Sequence, residues 1–243
     1  MRRSPISSTS SLQWAFASRN LTALDGVDYI SRRDKTLSTR KSVGLCAILV
    51  GGQSRRMGQQ PKAFLTLGDR TFLQRIADAA RSHVKDVTAI GGAPESFRRF
   101  PIRHIPDAWH EAGPLGGIAT ALASTKRQYV FVVPCDAPLF EGRAITLARD
   151  LIGEADAAIF EVEGRLNATI ALYKKSSCFA VFRRALELGR FRLLDAVAGL
   201  TAVIISERQW REAGISPTAF VSANTPEELA KLIGYYETSK SPA

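Results

Sequence analysis

Cysteine is scarce in this 243-residue chain: Cys46, Cys135 and Cys178 are far apart, none belongs to a C-x-x-C pair, and there are only three histidines. That usage excludes a disulfide framework and a zinc ribbon and fits a reducing, cytoplasmic setting. Long apolar runs are missing too. The longest, Val43 to Val50, is broken by Gly44, whereas crossing a bilayer takes roughly 18 to 20 apolar residues, so no membrane span is expected. Acidic residues are few, 23 against 33 Lys and Arg, giving a net charge of +10 and a pI near 9.9. Such a balance is a common nucleic-acid signature, but the basic residues are not interleaved with aromatics and no nucleic-acid motif accompanies them, so that partner is not expected. Apolar residues are plentiful at 45%, enough for the core of an α/β domain of ordinary size.

The charge is unevenly spread. Residues 1–42 hold eight Lys and Arg against three Asp, are rich in Ser and Thr, and show no sustained apolar period. They read as a basic, disordered N-terminal extension, with a folded domain over 43–236 and a flexible tail over 237–243. The remaining 201 residues carry 25 basic and 20 acidic side chains, half the net charge.

From Val43 onward, short β-branched or apolar runs (43–50, 86–90, 129–133, 157–162, 168–173 and 201–205) alternate with stretches of helical period (71–83, 115–124, 142–151, 176–188, 192–200 and 225–235). Alternation of this kind, with near-continuous apolar strands, predicts an α/β fold with a mostly parallel sheet between helices. Such sheets hold ligands beyond the carboxyl ends of their strands, which directs attention to three loops.

The first loop, Leu49-Val50-Gly51-Gly52-Gln53-Ser54-Arg55-Arg56-Met57-Gly58-Gln59-Gln60-Pro61-Lys62, joins paired glycines to three cations. Glycines let backbone N–H groups approach a ligand and cations attract phosphate, although neither a P-loop nor a dinucleotide fingerprint is spelled. A plain surface loop explains the glycines and arginines equally well. The second, Asp107 to Gly117, carries Gly113-Pro114 before a helix, and Asp107 is either a hydrogen-bond acceptor for a ligand or an ordinary turn aspartate. The third, Val132-Val133-Pro134-Cys135-Asp136-Ala137-Pro138, places a carboxylate between prolines at the end of an apolar strand. A Mg²⁺ ion bound with phosphates takes one or two such oxygen ligands. Cys135 reads as a small buried filler.

Taken together and in order, these loops, followed by Asn224-Thr225-Pro226-Glu227-Glu228-Leu229, resemble the molybdenum cofactor guanylyltransferase family over roughly residues 45–233. The resemblance implies a Rossmann-like three-layer nucleotidyltransferase fold and an enzyme that transfers GMP from GTP to Mo-molybdopterin with release of pyrophosphate, using Mg²⁺. It places Leu49, Val50 and Gly51 at the guanine with Gly52 completing this nucleotide-binding loop, Arg56 and Lys62 at the triphosphate as catalytic cations, Asp107 in the nucleotide pocket, and Asp136 as a catalytic carboxylate at both nucleotide and metal. Molybdopterin-inserting or molybdoenzyme proteins are the partners it brings with it. The last motif also has a structural explanation: Thr225 and Glu228 are spaced as a capping box with Pro226 at the first helical position, and its role is taken as mainly structural.

Several positions depart from the family pattern. Val50 replaces an alanine, Pro61 stands where guanylyl members place Asp, Ile90-Gly91-Gly92 lacks an expected asparagine, and Ser222 replaces another. Two alternatives therefore stay open: a molybdopterin cytidylyltransferase or other nucleotidyltransferase of the same fold, and a non-catalytic GTP-binding accessory protein.

Overall fold

A computed structural model describes residues 21–23, 43–51 and 61–240. Among the described residues there are ten strands: β1 (Leu21–Ala23), β2 (Leu45–Leu49), β3 (Thr66–Leu67), β4 (Arg70–Thr71), β5 (Asp86–Ile90), β6 (Arg103–Ile105), β7 (Tyr129–Pro134), β8 (Ala157–Val162), β9 (Arg165–Lys174) and β10 (Ala202–Ile205). Eight of them form one sheet in the order β1-β10-β8-β9-β7-β2-β5-β6, and β3 and β4 pair as a separate hairpin. All neighbours in the large sheet are parallel except β9, which runs antiparallel to both β7 and β8. The β8–β9 turn has Glu163 and Gly164 both at positive φ, 51° and 69°. Two successive left-handed residues make the type I′ turn whose twist matches a hairpin.

Among the described residues the α-helices are α1 (Phe72–Arg81), α2 (Gly113–Ala123), α3 (Arg143–Leu151), α4 (Lys175–Glu187), α5 (Leu193–Val197), α6 (Glu207–Glu212) and α7 (Pro226–Lys240). Strand alternation sorts all but α7, whose Leu232 packs with Leu67 and Phe72, into two outer layers. Cys46, Ile48 and Val50 pack with Leu73, Ile76, Ile145 and Trp210 on one face, while Leu45, Ala47 and Leu49 pack with Leu115, Ile118, Phe182 and Val197 on the other. A central strand buried on both faces has no polar side to present, which is why β2 reads as an uninterrupted apolar run. The three-layer, mostly parallel architecture expected from the alternation is the one observed.

Local sequence sets the helix starts. Thr71 caps α1 by accepting from Gln74 N at 3.2 Å while Gln74 Oε1 accepts from Thr71 N at 2.9 Å. Ser206 and Gln209 repeat this box at α6. Thr225 and Glu228 do so at α7, where Glu228 N donates to Thr225 Oγ1 and Thr225 N donates to Glu228 Oε2, both at 3.2 Å.

Several features depart from the sequence reading, among them the β3–β4 hairpin. Within 1–42, Leu21–Ala23 add a short edge strand parallel to β10, where no regular element was expected. Strand β6 escaped notice because Arg103-His104-Ile105 is short and polar, an edge strand. Helix α6 is under two turns and shows no period. Finally, α7 runs to Lys240 and not 235. The chain after Gly234 contains no helix breaker before Pro242. Among the described residues no helix is long and apolar enough to cross a membrane.

Candidate functional site

The carboxyl ends of β2, β5 and β7 lie side by side, with Leu49 opposite Ile90 on one flank and Pro134 on the other. Ladder hydrogen bonds continue one residue beyond the strands: Val50 N donates to Ile90 O at 2.8 Å and Cys135 N to Leu49 O at 3.0 Å. This brings the first and third loops to one edge. Leu49 and Val50 are buried and Gly51 is exposed, so the chain surfaces at the glycine, as a backbone-lined ligand site requires. Gly52 and Arg56 lie outside the described residues.

Beside this edge, Gly91 and Gly92 have φ of 88° and 75°. A Cβ on Gly91 would stand 3.3 Å from Gly51 N. The two glycines thus allow the end of β5 to close on the start of the first loop, at the place where the family resemblance led one to expect an asparagine.

Lys62 follows Pro61 and begins a 3-10 turn, Lys62–Phe64. Its Nζ donates to Asn224 Oδ1 at 2.7 Å and lies 3.5 Å from Asp136 Oδ2; Lys62 and Asp136 are 16% and 19% exposed. Both charges therefore sit at the rim of the sheet, close enough to pair and accessible enough to meet a ligand. Asp136 is held from behind because Ala223 N donates to its carbonyl at 2.9 Å. Next to it, Cys135 is buried and its thiol pKa is pushed up to about 12, by burial first and by the Asp136 charge second. A thiol held protonated is no nucleophile, and the filler reading of Cys135 stands.

Asn224 is a further residue that the structure brings to this site, in a motif whose spacing points mainly to helix capping. The signal was present, since an asparagine in front of a capping box can serve both neighbours. Its backbone N donates to Glu228 Oε2 at 2.6 Å while its side chain holds Lys62.

Asp107 lies in the loop after β6. Its Oδ1 accepts from Trp109 N at 3.0 Å and from Thr120 Oγ1 at 2.8 Å. Oδ2 is 3.9 Å from where a Cβ on Gly117 would stand, a point only 3.2 Å from Leu49 Cδ2. Glycine at 117 thus leaves room between the aspartate and the end of β2. Leu49, Val50, Gly51, Lys62, Asp107 and Asp136 are all brought to one end of the sheet.

A second concavity, of about 520 Å³, lies alongside. It is lined by Pro114 at the start of α2, by Arg165, Asn167 and Thr169 of β9, and by Phe191 and Arg192 ahead of α5. Composition and spacing gave no sign of it, because its walls come from three separate stretches of chain.

A mostly parallel three-layer sheet whose strand ends gather a lysine, a carboxylate and a glycine-bordered backbone edge defines a nucleotide-handling α/β protein. Comparison with known proteins is specific about which kind. The family described as the MobA-like NTP transferase domain matches residues 46–202. A probable molybdenum cofactor guanylyltransferase from Pelotomaculum thermopropionicum is 30% identical over 197 residues, 80% of this chain and 94% of the relative. A molybdenum cofactor guanylyltransferase from Desulfosudis oleivorans is 30% identical over 76% of this chain and 91% of the relative. The crystal structure of molybdopterin-guanine dinucleotide biosynthesis protein A from Archaeoglobus fulgidus shares the fold with a TM-score of 0.70, at 20% identity, over 80% of this chain and 99% of that one. The chain belongs to the MobA-like NTP transferase family and is a nucleotidyltransferase of the molybdenum cofactor guanylyltransferase group.

Proposed function

We propose that this enzyme binds GTP at the ends of β2, β5 and β7 and transfers GMP to the terminal phosphate of Mo-molybdopterin. In that reaction an acceptor phosphate oxygen forms a bond to the α-phosphorus, the bond from that phosphorus to the bridging oxygen breaks, and pyrophosphate leaves with the electron pair. The acceptor phosphate is already ionised near neutral pH, so the protein needs no strong general base. Its task is to position the groups and offset charge. The observation that carries the reading is the meeting of Lys62, Asp136 and Asn224 at the strand ends.

In this reading the backbone of Leu49, Val50, Gly51 and Gly52 meets the guanine, and Asp107 contacts the nucleoside. Lys62 and Arg56 stabilise the departing pyrophosphate. Asp136 would hold a Mg²⁺ ion. The donor set fits that ion, because Asp136 offers a hard carboxylate oxygen directly beyond β7 at the strand ends. Mg²⁺ binds substrate phosphates through one or two carboxylates and keeps its remaining ligands from phosphate and water. When bound, it would supply charge compensation on the triphosphate.

The concavity beside α2 supports the acceptor side of the reading. Pro114 opens the helix that follows the Asp107 loop, and the start of β9 lies at the carboxyl end of β7; Arg165 and Arg192 give this concavity cations for a phosphate while Phe191 offers an aromatic face. The three cysteines of the chain are free and buried, in keeping with a reducing cytoplasmic setting. A panel of nucleoside triphosphates assayed for pyrophosphate release with Mg²⁺, with and without molybdopterin, tests the proposal. Release with GTP that depends on molybdopterin is the expected result. Release with CTP in its place would transfer the assignment to the cytidylyl relatives, and GTP binding without release would make the protein an accessory binder.

A further inference from the structure

Thr120 lies in α2, thirteen residues beyond Asp107, and is 3% exposed. Buried hydroxyls are rare unless they are fully bonded, and this one is: Oγ1 receives Ala108 N–H at 3.0 Å and lies 2.8 Å from Asp107 Oδ1 and 2.9 Å from Gly116 O. A hydroxyl has one hydrogen to give. Between a carboxylate and a peptide carbonyl, the ionised acceptor makes the stronger bond, and Gly116 O is in any case the helical partner of the backbone at Thr120. The hydrogen therefore goes to Asp107.

The two oxygens of Asp107 are consequently unlike. Oδ1 accepts from Thr120 and from Trp109 N–H, which together occupy its lone pairs. Oδ2 takes part in no hydrogen bond among the described residues and faces the space that Gly117 leaves beside Leu49 and Ile90. We infer that Thr120 is the positioning residue for nucleoside selection: it fixes the Asp107 carboxylate so that Oδ2 is presented, with both lone pairs open, to hydrogen-bond donors of the bound nucleoside. An acceptor-only group in that position favours an edge bearing N–H groups, as guanine has, or a ribose hydroxyl, and disfavours a base edge that presents acceptors. This inference rests on the nucleoside triphosphate reading of the site.

The test uses the full-length enzyme and Thr120→Val, which keeps the shape and removes the hydroxyl. Without that bond the carboxylate rotates about its terminal torsion. The Kd and KM for GTP are expected to rise about tenfold while kcat at saturation stays within about twofold, and Thr120→Ser is expected to restore the wild-type values. Thermal midpoints accompany each variant, and Thr120→Ala replaces Thr120→Val if the valine does not fold. A wild-type preference for GTP over inosine triphosphate that narrows in the variant assigns Oδ2 to the base; a preference over 2′- or 3′-deoxyguanosine triphosphate that narrows assigns it to the ribose. A folded variant lacking the hydroxyl with unchanged Kd for every nucleotide overturns the inference. A wild-type protein that binds no nucleotide overturns instead the functional reading on which it stands.

Discussion

The ammonium of Lys62 donates to the side-chain oxygen of Asn224 at 2.7 Å across 162 residues of sequence. The same ammonium is 3.5 Å from Asp136. One residue at the start of the domain, one at its middle and one at its end thus share a single site, and each has a separable job. In the proposed reaction Asp136 and Lys62 carry the charge that meets the ligand. Asn224 is neutral and orients Lys62.

Removing a charge should therefore cost more than removing the support. Asp136→Ala and Lys62→Ala are each expected to lower kcat/KM by about two to three orders of magnitude with thermal stability little changed. Asn224→Ala is expected to lower it by about tenfold, the effect of a single hydrogen bond to a charged group. Steady-state pyrophosphate release on the three variants gives this order, and an Asp136→Ala enzyme at wild-type rate would remove the carboxylate from the mechanism.

Gly142 is a packing site between two helices. A Cβ there would overlap the carbonyl oxygen of Ala79 and the ring of His83, pushing α1 away from the start of α3. Because backbone cannot yield as a side-chain tip can, Gly142→Ala is expected to destabilise the fold by about 3 kcal/mol. Urea unfolding monitored by circular dichroism measures it.

His83 makes the same contact pH-sensitive. Its Nδ1 lies 2.9 Å from Thr146 Oγ1, and its pKa is held below the ordinary 6.5 by burial first and then by Arg149 and Arg143. The unfolded chain therefore binds a proton at His83 before the folded chain does. Stability from this group is full above pH 6.5 and is lost as the pH falls from there through the lower folded value. Urea midpoints recorded on the acid side of pH 6.5 should fall less steeply in His83→Gln than in the wild type.

Truncation addresses the basic extension. Strand β1 joins the sheet edge at β10, and four strands separate it from β2 at the site. Deleting residues 1–40 is expected to preserve kcat and KM while lowering the melting temperature by a few degrees, roughly the effect of 1 kcal/mol on a domain of this size. Loss of activity in the truncated protein would tie the extension to catalysis and reopen the meaning of its charge.

Much of this was legible beforehand because its causes are local. Apolar alternation between Val43 and Ile205 determined a three-layer α/β domain: a strand buried on both faces has to be apolar throughout, and the helices between strands carry a helical period. Thr71 with Gln74 and Thr225 with Glu228 determined where helices begin, since capping needs only neighbours three residues away. The motifs around Leu49, Lys62, Asp107 and Asp136 determined the family. Tertiary structure alone decided the antiparallel insertion of β9, the edge strands β1 and β6, and the joining of Asn224 to Lys62. It also made the oxygens of Asp107 unequal, through a threonine within the helical stretch 115–124. These features depend on contacts between segments distant in the chain, and no local period or spacing encodes which distant groups will meet.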